Sequence, residues 1–335
     1  MSINSEDILN MFFSYDILRT NRIKNDNIIF AHYTSASTAR RILSSEELWL
    51  RNVSDMNDFS EIELGQYLLL KILKSPSIIN EFNSVFREIS ISTFSFNDII
   101  SHIENNFSDM KKFLYIACLS EHQDEDNAYG RLSMWRAYAP QNGVALIINP
   151  NFLSDAPALN GIFFMTSPVR YSSHSQIRYL EDDIHALIVQ LRAISFSHSP
   201  PQEHEESALF FIFLNKFYST IASIKHIGFQ EEKEWRIILS TQGEISPSLS
   251  EHKDILKKQV VDIRGIPQQI YKINLPRLYN ISQEESMIPH LLNKIIIGPS
   301  HNPELIKEVF CDILREKNID LSTDKIVISD IPLRI

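Results

Sequence analysis

Four clusters in this sequence combine residue types able to do chemistry. His32-Tyr33-Thr34 follows the apolar run 28–31, and residues 35–47 after it place Ala39, Ile42 and Leu43 at helical spacing. An H-x-T where a strand hands over to a helix can offer a ligand side chains and free backbone N–H groups together, although a lone His there is as readily a satisfied polar residue. Further along, residues 229–239 read FQEEKEWRIIL, so on a strand Glu232, Glu234 and Arg236 project from one face. Two carboxylates and a guanidinium on one face make either a solvated ladder or an active site. Trp135 and Tyr138 are three apart and share a helix face, as core packing or as a flat wall for a ligand ring. Asn57-Asp58, with Glu61 after them, make either an ordinary helix cap or a substrate-contacting loop.

The elements that must position these residues follow from periodicity. Residues 28–31 and 48–50 are short apolar strands flanking the helix that bears Arg40 and Arg41. Strands are also expected at 113–119, at 143–149, within 163–171, and at 269–275, 294–297 and 325–328, with helices over 5–25, 175–196, 207–226 and 304–317. Asp124 and Asp126 lie in an acidic loop that lacks the glycine and terminal Glu of a calcium loop. We read one large domain over 1–335, with a core at 28–60, 113–171 and 206–335 and helical insertions at 72–112 and 174–205.

Composition narrows the classes. The chain has 335 residues, 44% hydrophobic and 22% charged, as in globular proteins. With 32 Lys and Arg against 42 Asp and Glu, its formal charge is −10, which disfavours non-specific nucleic-acid binding but leaves room for a local basic groove. Two cysteines, Cys118 and Cys311, give no disulfide framework and fit a reducing cytoplasm. Acidic Glu6 and Asp7 stand where a signal peptide would be basic, and no apolar run is long enough for a membrane span. Glycines number only eight, and neither glycine-rich nucleotide cradle occurs.

The ordered set His32-Tyr33-Thr34, Asn57-Asp58, Trp135-x-x-Tyr138, Glu232-x-Glu234-Trp235-Arg236, Ile297-Gly298-Pro299 and Ile331-Pro332-x-Arg334 resembles the bacterial family catalogued as domain of unknown function 2971. That family usually shows N-D-P-F-E where this chain has Asn57-Asp58-Phe59-Ser60-Glu61, and I-P-Y-R where it has Leu333. His32, Thr34, Glu232 and Glu234 also give a more distant resemblance, to the ADP-ribosyltransferase fold. It implies an α+β architecture, with two mostly antiparallel sheets forming a cleft surrounded by helices.

The second resemblance also implies a chemistry. NAD is then the substrate, and its nicotinamide–ribose bond breaks through an oxocarbenium-like transition state comparable to that of glycoside hydrolysis. Glu234 would stabilise the sugar, Glu232 orient the acceptor and His32 hold the ribose with help from Tyr33 and Thr34. Trp135 or Tyr138 would stack on nicotinamide. Arg236, Arg40 or Arg41 would meet the pyrophosphate, and Asn57-Asp58 would contact substrate. No metal is required. The expected activity is mono-ADP-ribosyl transfer to a protein or nucleic acid by a cytoplasmic toxin or phage-defence effector, with an antitoxin or regulatory partner conceivable. Hydrolysis of NAD on the same site and a non-enzymatic binding module are the alternatives.

Overall fold

Residues 29–35, IFAHYTS, are rich in β-formers and begin the first of twelve strands among the described residues of the computed structural model. Described are residues 12–13, 21–23, 25–55, 59–149, 162–173, 177–193, 201–241, 252–263, 265–282, 285–319 and 325–332. In chain order the strands are β1 (Ile29–Ser35), β2 (Glu47–Asn52), β3 (Leu114–His122), β4 (Gly143–Ile148), β5 (Phe163–Pro168), β6 (Arg170–Ser172), β7 (Ile224–His226), β8 (Glu234–Ser240), β9 (Leu256–Ile263), β10 (Ile266–Asn274), β11 (Leu292–Ile297) and β12 (Ile326–Ile328).

The chain divides into two compact units. One comprises Met1–Arg19, Asn52–Leu114 and Ser167–Gln230, the other Thr20–Arg51, Tyr115–Thr166 and Glu231–Ile335. The segments expected as insertions, 72–112 and 174–205, fall in the first unit. So does the helix Glu203–Ala222, most of which the sequence assigns to the core.

The first unit is largely helical. Helices Pro76–Glu88, Phe96–Asn105 and Glu203–Ala222 bury a cluster of phenylalanines, with Phe82 stacked on Phe96 at 3.9 Å and edge-on to Phe213 at 6.1 Å. Helix Phe59–Leu73 crosses Glu203–Ala222 so closely that a Cβ on Gly65 would lie 2.4 Å from the Ile221 carbonyl oxygen. Glu206 accepts four hydrogen bonds, from the backbone N–H and hydroxyl of both Ser92 and Thr93.

The second unit is built on the sheet. Ten strands follow the path β12-β11-β4-β1-β3-β2-β10-β9, with β8 on β3 and β5 on β8. The pairings β1–β3, β1–β4, β4–β11, β2–β10 and β9–β10 are antiparallel, and β11–β12 is parallel. The architecture is α+β with a mostly antiparallel sheet, as expected. The strands form one sheet that forks at β3 rather than two separate sheets. β3 is nine residues long, enough to border β1, β2 and β8 at once. Among the described residues no helix is long and apolar enough to cross a membrane.

Two clusters of side chains sit on opposite faces of this sheet. Phe30, Leu119, Trp235 and Ile237 belong to the larger core, into which helix Ala36–Ser45 buries Ala39, Ile42 and Leu43. Ala31, Tyr33, Trp135, Ala145 and Ile296 form the smaller one. Along β1, successive residues therefore alternate between the two.

Candidate functional site

β1 does not end before His32. Tyr33 and Thr34 continue the strand, pairing with Ala145 and Val144 of β4, and the next residue, Ser35, caps the helix by accepting from the Thr38 N–H at 3.2 Å. His32 thus lies inside a strand, two residues from Phe30 and on its face. It donates through Nδ1–H to the Cys118 carbonyl at 3.0 Å. Its ring borders a small apolar hollow with Ile42, Leu48, Leu119, Leu146 and Ile237, whose room of about 20 Å³ is that of a single water. Burial pushes the imidazole below its ordinary pKa, against the opposing pull of the Cys118 carbonyl.

The strand expected to start at the glutamate pair begins later. Ile227–Glu232 form a 3-10 turn and Lys233 has φ 44°, so β8 starts at Glu234. Glu232 is separated from the strand by this left-handed residue and does not share its ladder. Glu234 and Arg236 do share one face of β8, and it is not solvated: they are 5% and 1% exposed. Arg236 donates from Nε to Glu234 Oε1 at 2.7 Å and from an Nη to Oε2 at 3.4 Å. A guanidinium buried against a carboxylate in this geometry is an anchor for that carboxylate, which makes it poorly placed to meet a pyrophosphate.

Strand alternation then fixes a relation the sequence left open. Phe30 meets Trp235 edge-on at 5.3 Å, so Phe30, His32, Trp235 and Ile237 share one side of the sheet. Glu234 and Arg236, at the alternate positions of β8, are turned to the other side. The structure does not bring His32 to Glu234.

On that other side a polar network assembles. The Tyr138 hydroxyl donates to the Glu232 carboxylate, 3.0 and 2.9 Å from its two oxygens. Arg131, a residue the sequence reading passed over, ties the neighbourhood together. Its guanidinium donates to the carbonyls of Glu121 at 2.8 Å and Glu231 at 3.1 Å, to the Ser120 hydroxyl at 2.9 Å and to Asp126 at 2.8 Å. Its backbone N–H donates to the Tyr33 hydroxyl at 2.8 Å. The Ser120 hydroxyl in turn donates to the Glu232 carbonyl. Burial pushes the Tyr33 hydroxyl up to about 12. Asp126 of the acidic loop is thus the ion-pair partner of Arg131. The only sequence signal for Arg131 is its place, a lone cation directly after that loop and its glycine.

Trp135 takes the core-packing alternative. It is fully buried, donates from Nε1–H to the Tyr129 carbonyl at 2.8 Å, and meets Tyr33 edge-on at 4.8 Å. Three of the chain's eight glycines make room for it. A Cβ on Gly130 would lie 2.5 Å from the ring, on Gly298 2.8 Å and on Gly143 3.2 Å. Ile331 packs against the same cluster. The dispersed motifs H-Y-T, W-x-x-Y, I-G-P and I-P therefore converge on one tryptophan. Its closed ring leaves Tyr138, which is partly exposed, as the aromatic of that helix able to meet a ligand.

Arg40 and Arg41 are exposed and line a different concavity, with Trp49 and Lys272. Thr34 is partly buried, and Asn57, Asp58 and Arg334 lie outside the described residues. Among the described residues no three His, Cys, Asp or Glu side chains gather as metal ligands.

Comparison with known proteins adds one finding. A family model described as "Protein of unknown function (DUF2971)" matches residues 134–237, a span that takes in Trp135, Tyr138, Glu232, Glu234 and Arg236. No curated protein and no solved structure matches the chain.

Proposed function

We propose that this chain is an NAD-dependent mono-ADP-ribosyltransferase, a bacterial toxin or phage-defence effector that transfers ADP-ribose to a macromolecule. The observation that supports it is the entry to β8. Two buried carboxylates, Glu232 and Glu234, flank the left-handed Lys233, one bonded by the Tyr138 hydroxyl and the other by the Arg236 guanidinium. Cleavage of the nicotinamide–ribose bond develops positive charge on the sugar, which fixed carboxylates stabilise without reorganising. Glu234, held in place by Arg236, supplies that charge near the ribose. Glu232 orients the acceptor, and Tyr138 both positions Glu232 and offers its ring to nicotinamide. His32 takes no part in this version of the site. It holds β1 to the Cys118 carbonyl instead.

A second reading has its own support. Glu234 is closed by Arg236 and Trp135 by its glycines, as a purely structural polar network around a core requires, and the chain is then a non-enzymatic binding module.

Incubation of pure protein with NAD, following released nicotinamide, separates the two. Glu232→Gln is the better variant, because it can still accept from Tyr138, whereas Glu234→Ala takes from the buried Arg236 guanidinium the carboxylate it is paired with. Release by the wild type that falls at least tenfold in Glu232→Gln, at unchanged melting temperature, is the expected result. No release, together with no heat in an NAD titration, would leave the binding module.

A further inference from the structure

We propose that the concavity formed by Arg40, Arg41, Trp49 and Lys272 binds single-stranded nucleic acid, reading the phosphate backbone with its cations and a base with its indole. Several observations converge here. The concavity is open, with a volume of about 430 Å³, and Ser44, Ser45 and Gln259 add polar groups to its wall. Arg41 lies 5.9 Å and the Lys272 ammonium 4.9 Å from the Trp49 ring centroid. Cross-strand register places Trp49, Lys272 and Lys257 side by side on one face of β2, β10 and β9, and Lys257 is exposed. The charge of this face is therefore opposite in sign to that of the chain, which is −10.

An acid offsets one of these cations and leaves the two arginines. Glu47 pairs with Lys272 at 2.9 Å, but among the described residues neither Arg40 nor Arg41 is in an ion pair. The Trp49 indole nitrogen is buried and has no hydrogen-bond partner among the described residues. Arg41 and Lys272 lie over the Trp49 ring, and where they turn to phosphates a base takes their place on it, so that one open groove tracks a backbone and stacks a base. An enclosed pocket would suit a free nucleotide better, since small ligands are mostly buried when bound. The groove is not part of the Glu232–Tyr138 site, and the inference stands whether or not the chain cleaves NAD.

Fluorescence anisotropy with a labelled single-stranded oligouridylate, titrated with the full chain across a salt series, tests it. The wild type should bind with a clear salt dependence. Arg40→Ala with Arg41→Ala should weaken binding at least tenfold and flatten the slope of log K against log salt by about 1.4, at roughly 0.7 per lost phosphate contact. Trp49→Leu should cost roughly tenfold with the slope unchanged, because stacking is not ionic. Both arginines are exposed, so unaltered circular dichroism of the double variant is expected and checks the fold. Absence of binding at low salt, or binding indifferent to the arginines, overturns the proposal. Displacement by heparin together with an inert Trp49→Leu also overturns it, by showing a polyanion site without nucleic-acid character.

Discussion

A carboxylate held within 2.7 Å of a guanidinium, both side chains out of water, cannot be altered on one side alone. Arg236→Met takes the paired guanidinium from the buried Glu234 carboxylate, and should cost roughly 3–5 kcal/mol by denaturant unfolding. A loss below about 1 kcal/mol would mean that water reaches Glu234. The glycines around Trp135 allow a second test, because two of the chain's glycines with positive φ differ in surroundings. Gly130 (φ +69°) faces the ring, and Gly265 (φ +79°) faces open space. Gly265→Ala should lose about 1–2 kcal/mol from backbone strain alone, and Gly130→Ala a further 1–3 kcal/mol from overpacking. Equal losses would show that the ring yields freely. Residue types made Glu232, Glu234 and Tyr138 legible as a candidate set. Their pairing was not, because it depends on Lys233 adopting a left-handed conformation that periodicity does not encode.

At the scale of elements, the sequence gives long apolar runs and loses half-buried ones. β3, β4, β10 and β11 lie where their apolar residues predict them, and helices Arg178–Ala193 and Pro303–Glu316 match their periodicity within a few residues. β9 has no counterpart among the expected strands because LKKQVVDI exposes residues of both faces, Lys257 and Gln259 on one and Lys258, Val260 and Asp262 on the other, and so lacks a period-two apolar pattern. It is a strand because Gly265 turns it back onto β10. The expected helix over 207–226 ends at Ala222, and its last residues become β7, paired with β6. Within the first unit, Gly65 sets how closely two helices approach. Gly65→Ala must push the Ile221 backbone away, so it should destabilise by about 1–3 kcal/mol although alanine favours helix. A melting temperature at or above the wild type would show that the crossing relaxes. Glu206, on the same helix, gathers four donors whose hydrogen bonds outweigh the cost of its burial and hold its pKa down. Glu206→Ala should cost roughly 1–2 kcal/mol, measured by urea unfolding, through the lost charge-assisted hydrogen bonds, since Ser92 and Thr93 are exposed and their donors turn to water.

Over the whole molecule, two pH-dependent terms oppose each other. At pH 7 the chain carries −10, and acidification toward its isoelectric point of about 5.6 relieves self-repulsion, which favours the folded state. Against this, burial holds the imidazoles of His32, His102 and His122 below their ordinary 6.5. Between that value and their folded values the unfolded chain binds more protons than the folded one. Their contribution is therefore complete above 6.5 and is lost as pH falls below it. Asp98 and Glu206 are also lowered, but their ordinary values of 3.8 and 4.5 keep their losses to more acidic solutions. The charge term is common to the wild type and to a His32→Asn variant, so comparing the two removes it. Denaturant midpoints measured from about pH 7.5 to about pH 5.5 should fall more for the wild type. The difference should reach at most about 1.4 kcal/mol per pH unit in the window, the free energy of one proton. Parallel curves would mean that His32 titrates freely. Its imidazole would then be reachable from solvent, and a ligand-binding role on the β1 face would again be open.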